Sequence, residues 1–478
     1  MTGINWIDIA IEILNYCILL FALLIMSSYL ILAFISAFSL NKYLKKNRFV
    51  NYSILLSLPD CPKISLIAPA YNEGMTIKEN VLSLLAIEYN NFDVIVVNDG
   101  SKDDSITILK ESFDLVETNQ VYNALIPTKE VRGIYQSSNL AFSKLIVIDK
   151  VNGGKADALN VGINISESPY IVCVDVDCIM DKDVLLKLAK FVMEETKKRL
   201  IATGGVIRIA NSCVIKSGKL IEVNAPSNLL ARIQVLEYLR AFLLGRMAWA
   251  KMDGLLIISG AFGLFDREIV QKCGGYNIKT VGEDMELIVR MRRYMIDNKE
   301  EYSVKYIPDP LCWTEAPESY SILRKQRSRW IRGTMETLWI HRRLFLNPKY
   351  KILGLLSYPY WLLCEYLSPI IEFLGLLITL LFIYFGILSW PYFFVLILLV
   401  YMFAVFFSIL AIYTEESTYK KYVSFNDFFK LVVAGICEPI IFHPFTVYAV
   451  LRGNWEKIRG SKGWGDMTRK GFVKKENT

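Results

Sequence analysis

Histidine is nearly missing: the 478 residues contain two, His341 and His443. A mechanism built on a histidine base is therefore disfavoured, and proton transfer falls to carboxylates. The nine cysteines form no Cys-x-x-Cys pair, which argues against structural zinc or a disulfide framework. Charge is modest, +7 net with no long Lys/Arg block, so no nucleic-acid partner is expected. Apolar residues are what the chain has in excess. A hydrophobic share of 53% and a mean hydropathy of +0.34 point to membrane segments joined to a soluble part.

Residues 14–40 carry no charge, and about 27 residues give roughly 40 Å of helix, enough to cross a bilayer. Asp8 and Glu12 precede this run where a signal peptide would have positive charge. Lys42, Lys45, Lys46 and Arg48 follow it, so the N-terminus is expected outside and the next domain in the cytoplasm. Apolar blocks return at 352–388, 391–413 and 429–451. Three simple crossings would put the basic tail outside, so either the first block is a hairpin turning near Ser368-Pro369 or one block is re-entrant. Glu365, Glu372, Glu438 and His443 in these blocks need protein partners or a hydrated path. The expected units are an anchor (1–45), a cytoplasmic domain (50–345), a membrane region (352–455) and a cytoplasmic tail (456–478).

The soluble part alternates strand and helix. Strands are predicted at 64–70, 93–97, 144–148 and 170–174, with a helix between the first two, giving a mostly parallel α/β sheet. Chemistry-bearing residues cluster at the C-terminal ends of these strands, where ligands bind in such sheets. Tyr71-Asn72-Glu73 follows the first strand and Asp99-Gly100-Ser101 the second. Asn152-Gly153-Gly154-Lys155 opens a helix, its glycines freeing amides and its lysine adding a charge suited to phosphate. Asp175-Val176-Asp177 ends the fourth strand, and paired hard oxygens there suit Mg²⁺ or Mn²⁺ bridged to a diphosphate. Residues 228–250 have helical periodicity, fitting either the core or the membrane surface. Gly282-Glu283-Asp284 enters a further helix, and Trp313 and Gln326-Arg327-Ser328-Arg329-Trp330 follow.

In this order, between membrane blocks, these motifs resemble the membrane-embedded family 2 glycosyltransferases, the class of cellulose, hyaluronan and poly-N-acetylglucosamine synthases. The resemblance implies a GT-A-type domain and inverting transfer from a UDP-sugar. It assigns Tyr71, Glu73 and Asp99 to the uridine, with Asp99 on the base. Asp175 goes to the nucleotide and the metal, Asp177 to the metal, and Asp284 to the general base. Gln326, Arg329 and Trp330 fall at the acceptor end beside the leaving UDP, and Trp313 is expected to stack on the terminal sugar. Gly282 departs from the threonine frequent at its position. The short stretch around Trp464-Gly465 resembles the C-terminal motif of hyaluronan synthases. The implied partners are the UDP-sugar, a polysaccharide or lipid acceptor, the bilayer and an accessory membrane subunit. Processive synthesis with export leads; single transfer to a lipid and an inactive scaffold remain alternatives.

Overall fold

Runs of β-branched and aliphatic residues become strands buried on both faces when helices cover the sheet from either side. Ile64–Ala70 (β1), Phe92–Asn98 (β2), Leu145–Lys150 (β5) and Tyr170–Val174 (β6) follow this rule. The computed structural model describes residues 6–460 apart from 59, 217 and 423. The Trp464-Gly465 stretch lies outside the described residues. The other strands are Leu115–Thr118 (β3), Val131–Ser137 (β4), Ile179–Met180 (β7), Arg199–Ile209 (β8), Phe262–Asp266 (β11) and Tyr302–Thr314 (β12). Val214–Lys216 (β9) and Lys219–Glu222 (β10) form a separate hairpin.

The main sheet runs β3-β4-β5-β2-β1-β6-β11-β8-β12-β7. Its centre, β5-β2-β1-β6, is parallel, as is β8-β12. Antiparallel contacts join β6 to β11, β11 to β8, β12 to β7, β3 to β4 and β4 to β5. The expected mostly parallel sheet is thus a mixed one, with a parallel core. Antiparallel strands need no helical crossover, so short and charged segments can extend it at both flanks.

The first helix, Trp6–Asn47, would extend roughly 63 Å, about twice the hydrocarbon thickness. Its outer part exposes Leu20, Leu24, Ile31 and Phe34. Its last turns dock on the sheet domain: Ser36 donates to the Leu243 carbonyl, Tyr43 to Asp309, and Lys46 pairs with Glu194 at 2.7 Å. Helix Trp390–Thr418 runs parallel beside it, with Tyr392 donating to the Asn15 carbonyl at 2.7 Å and Tyr29 stacked on Phe407 at 5.5 Å.

Three helices are long and apolar enough to cross a membrane, Ile11–Asn47, Trp390–Thr418 and Phe425–Ile458. A bent pair, Leu353–Tyr366 and Ser368–Tyr384, adds a fourth candidate with a 41° bend. That bend rules out the hairpin reading of block 352–388. The last helix also differs from expectation. One stripe of it, Asp427, Leu431, Ala434, Glu438, Phe442 and Gly453, is buried, and Leu431, Ala434 and Phe442 join the main core with the sheet domain. Glu438 pairs with Arg240 and accepts from Ser408 at 3.1 Å, while Lys457 pairs with Glu336 in the final turn.

The segment 228–251 is one continuous helical run, capped by Asn228 and π-helical over Leu239–Arg246. It packs in the core and against the last helix at once. Arg240 reaches the last helix, and Glu237 accepts a bidentate pair from Arg327 at 2.5 and 2.6 Å. Of the carboxylates expected along a hydrated path, Glu438 and Glu372 are paired, the latter with His443 at 2.7 Å. Glu365 stays exposed, beside Tyr360 and Arg246.

Candidate active site

The site forms where the C-terminal ends of β1, β2 and β6 meet the starts of two helices. The loops after β1 and β2 are tied together. Asn72, at φ 56°, receives the Lys102 N–H on its side chain at 2.8 Å and donates its own N–H to Ser101 at 2.9 Å. Asp103 accepts the Gly74 N–H at 2.9 Å, and Ser105 accepts the Glu73 N–H at 3.0 Å. This mesh fixes the backbone that carries Tyr71, which is 43% exposed, and Glu73.

Asp99 is 4% exposed and already engaged. Its carboxylate accepts from Lys150 at 2.7 Å, from the Gly153 N–H at 2.9 Å and from the Gly154 N–H at 2.8 Å. A carboxylate has about four acceptor positions, so roughly one is left for a ligand. The amides expected to be free for phosphate are therefore taken, and the loop's contribution to an anion is the Lys155 charge. Gly154, at φ 89°, makes the turn that brings these amides onto Asp99.

Lys155 joins the two halves of the site. Its ammonium pairs with Asp175 and donates to the Gly260 carbonyl at 3.0 Å. The Gly260 N–H in turn donates to Asp284 Oδ2 at 2.8 Å, and Asp284 Oδ1 accepts the Met285 N–H at 2.8 Å. The Asp175 N–H reaches the Ala261 carbonyl at 3.3 Å, fixing the same loop to β6. Burial works to lower the Lys155 ammonium, but Asp175, then Glu283 and Asp284, hold it above its ordinary value. Burial, then the Asp284 charge, pushes Glu283 up to about 7, against the opposing pull of Lys155 and Arg329. Ligand atoms of Asp175, Asp177 and Cys178 lie within 4.8 Å of one another.

Helix Tyr320–Ile340 closes the far wall. Gln326 is buried, and Trp330 is 40% exposed with the Arg327 guanidinium 4.3 Å over its ring. Arg329 lies close enough to Glu283 to act on its charge. Gly333 meets Gly282 backbone to backbone: a Cβ on Gly282 would stand 2.6 Å from the Gly333 Cα. That contact accounts for glycine where threonine was expected.

Trp313 is not part of the site. It is fully buried, packed with Ile179 and Ala210 under the β9-β10 hairpin, and no ring face is open to a sugar. Sequence reasoning also missed Gly260, Gly333 and Glu336. The first has only a small-residue loop as its signal, and the others sit on a helix read for its Gln-x-x-Arg-Trp alone.

An acidic pair able to hold a divalent cation, facing a helix-borne carboxylate across a lysine, suits moving a group off a diphosphate. The model of the family described as glycosyltransferase like family 2 matches residues 62–333, more than half of the chain, and the protein belongs to that family. Among its relatives, the poly-beta-1,6-N-acetyl-D-glucosamine synthase of Staphylococcus epidermidis is 28% identical over 277 residues, 58% of this chain and 55% of that one. The enzyme of the same name from Staphylococcus aureus strain COL is 28% identical over 305 residues, 62% and 61% of the two chains. The chain thus spans little more than half the length of these relatives. A solved mannosyltransferase from Pyrobaculum calidifontis, in complex with GDP-Man and Mn²⁺, aligns over 92% of this chain and 100% of its own, with 13% identity and a TM-score of 0.48.

Proposed function

We propose that this protein transfers a hexose, N-acetylglucosamine by the names of its relatives, from a UDP-sugar with inversion to a growing β-linked polysaccharide. The observation that carries the reading is the continuous path Asp175–Lys155–Gly260–Asp284, which ties a cation suited to a diphosphate and a proton-accepting carboxylate to the same loop residue, Gly260. Tyr71, Glu73 and Asp99 hold the uridine. Asp284 takes the proton of the acceptor hydroxyl as its oxygen attacks the anomeric carbon. The bond to the diphosphate breaks on the opposite face, and its electron pair leaves with UDP. One displacement inverts the centre, so one base suffices. Lys155 and Arg329 stabilise the departing charge, and Gln326 and Trp330 border the acceptor.

The carboxylates of Asp175 and Asp177 fit Mg²⁺ or Mn²⁺, with Cys178 adjoining them. Such a cation, when bound, would neutralise the diphosphate.

The docking of the last helix supports a topology. A helix held by the catalytic domain at Leu431 and again at Lys457 lies along that domain rather than leaving it. The first helix, the bent pair and helix Trp390–Thr418 are then three crossings, with both the catalytic domain and the basic tail cytoplasmic and the N-terminus outside. This removes the parity conflict of the apolar blocks. The functional test is purified protein in detergent, offered a panel of UDP-sugars with Mg²⁺ or Mn²⁺, with products sized on a gel. A ladder of long chains from one donor supports the reading; a single-sugar lipid or no product overturns it.

A further inference from the structure

The loop that presents Asp284 is held from outside the site. Glu336, on helix Tyr320–Ile340, accepts the Thr280 hydroxyl at 2.7 Å and the Val281 N–H at 3.0 Å through the same oxygen, Oε2. Thr280 Oγ1 in turn accepts the Gly282 N–H at 3.1 Å. Three consecutive residues before Glu283-Asp284 thus take their orientation from one carboxylate. Its other oxygen is paired with Lys457, in the last turn of the C-terminal helix. One residue earlier, Glu456 accepts the Ser328 hydroxyl at 2.6 Å, so this turn grips the same helix twice.

Packing gives the loop no slack. Gly282 and Gly333 touch through their backbones, and a Cβ on Gly333 would lie 2.7 Å from the Gly282 Cα. A shift of Glu336 along its helix would therefore move the loop. Lys457 is 39% exposed, so as a bare ion pair its attraction would count for little. What separates this pair from a surface bridge is that the other Glu336 oxygen is committed to the Asp284 loop.

We propose that Glu336 is a positioning residue for Asp284 and that Lys457 sets Glu336, so that the C-terminal helix reaches the Asp284 loop through this carboxylate. Its effect on transfer rests on the reading of Asp284 as the base; the mechanical link does not. Both are tested on the full chain in detergent, comparing Lys457→Met with Lys457→Arg. Hydrogen exchange at the Val281 and Gly282 amides reads the link independently of any reaction. Lys457→Met is expected to speed that exchange about tenfold and to lower turnover about tenfold, with UDP affinity within about twofold of the parent. Lys457→Arg recovers most of both. Unchanged exchange in Lys457→Met overturns the link, whatever the transfer assay shows. Faster exchange with undiminished turnover overturns the positioning role. A loss of UDP affinity parallel to turnover overturns it too, by placing the effect on the donor side.

Discussion

Replacing Asp284 by asparagine should do more than remove a base. Both carboxylate oxygens are hydrogen-bond acceptors here, one for the Gly260 N–H and one for the Met285 N–H, each at 2.8 Å. A carboxamide has one accepting oxygen, so its NH₂ must face one of these N–H groups. The displaced donor costs about 1–3 kcal/mol. If the carboxamide keeps Met285, the cost falls on Gly260, whose carbonyl positions Lys155. Transmitted in full, about 1.4 kcal/mol of that would weaken UDP binding roughly tenfold. The lost proton acceptor adds on the order of 10²–10⁴ in turnover. Calorimetry with UDP and a coupled UDP-release assay separate the two. Asp284→Asn should lose far more in turnover than in affinity. Turnover within tenfold of the parent would refute the base assignment, and UDP affinity lost as fully as turnover would move Asp284 to the nucleotide site.

Three further predictions follow from the same geometry. Turnover should rise with pH through about 7 as Glu283 ionises beside the base, and Glu283→Gln should flatten that limb. Because folding raises Glu283 from 4.5 to about 7, its contribution to stability is full below the lower value and lost as pH rises through the upper one. Melting temperature should therefore fall across that window in the parent and less in Glu283→Gln. Asp177→Asn, or chelation of the parent by EDTA, should remove most activity, since charge stabilisation worth several kcal/mol is lost; robust transfer in excess EDTA would contradict it. Trp313→Ala should destabilise the fold by roughly 3–5 kcal/mol, while Trp313→Phe should leave the acceptor KM unchanged. A raised KM in a well-folded Trp313→Phe would restore the sugar-stacking role.

The central strands and the acidic residues at their tips were legible because burial on both faces writes itself as an uninterrupted apolar run. Strand β12 was not. It carries Pro308, Pro310, Lys305 and Asp309, and its register with β8 shifts on either side of Pro310. Prolines of this kind argue against a strand unless a bulge absorbs them. The periodicity of residues 228–250 left core and membrane surface both open and gave no partner for Arg240 or Glu237, whereas each meets an opposite charge delivered from far along the chain. Local periodicity has no access to such partners. Asp99 and Trp313 show the same limit in the site. Residue type suggested a free carboxylate and a free ring, but the folded chain engages one and covers the other.

The proposed activity is addition of sugar at Asp284 to a growing polymer, and the family resemblance implies export through the membrane helices. Reconstituting the full chain in sealed vesicles, with the catalytic domain and the UDP-sugar outside, tests it most directly. Long β-linked chains that survive an added glycan hydrolase until the vesicles are opened are the expected result. Chains fully digested from outside, or a single sugar left on a lipid, would contradict it.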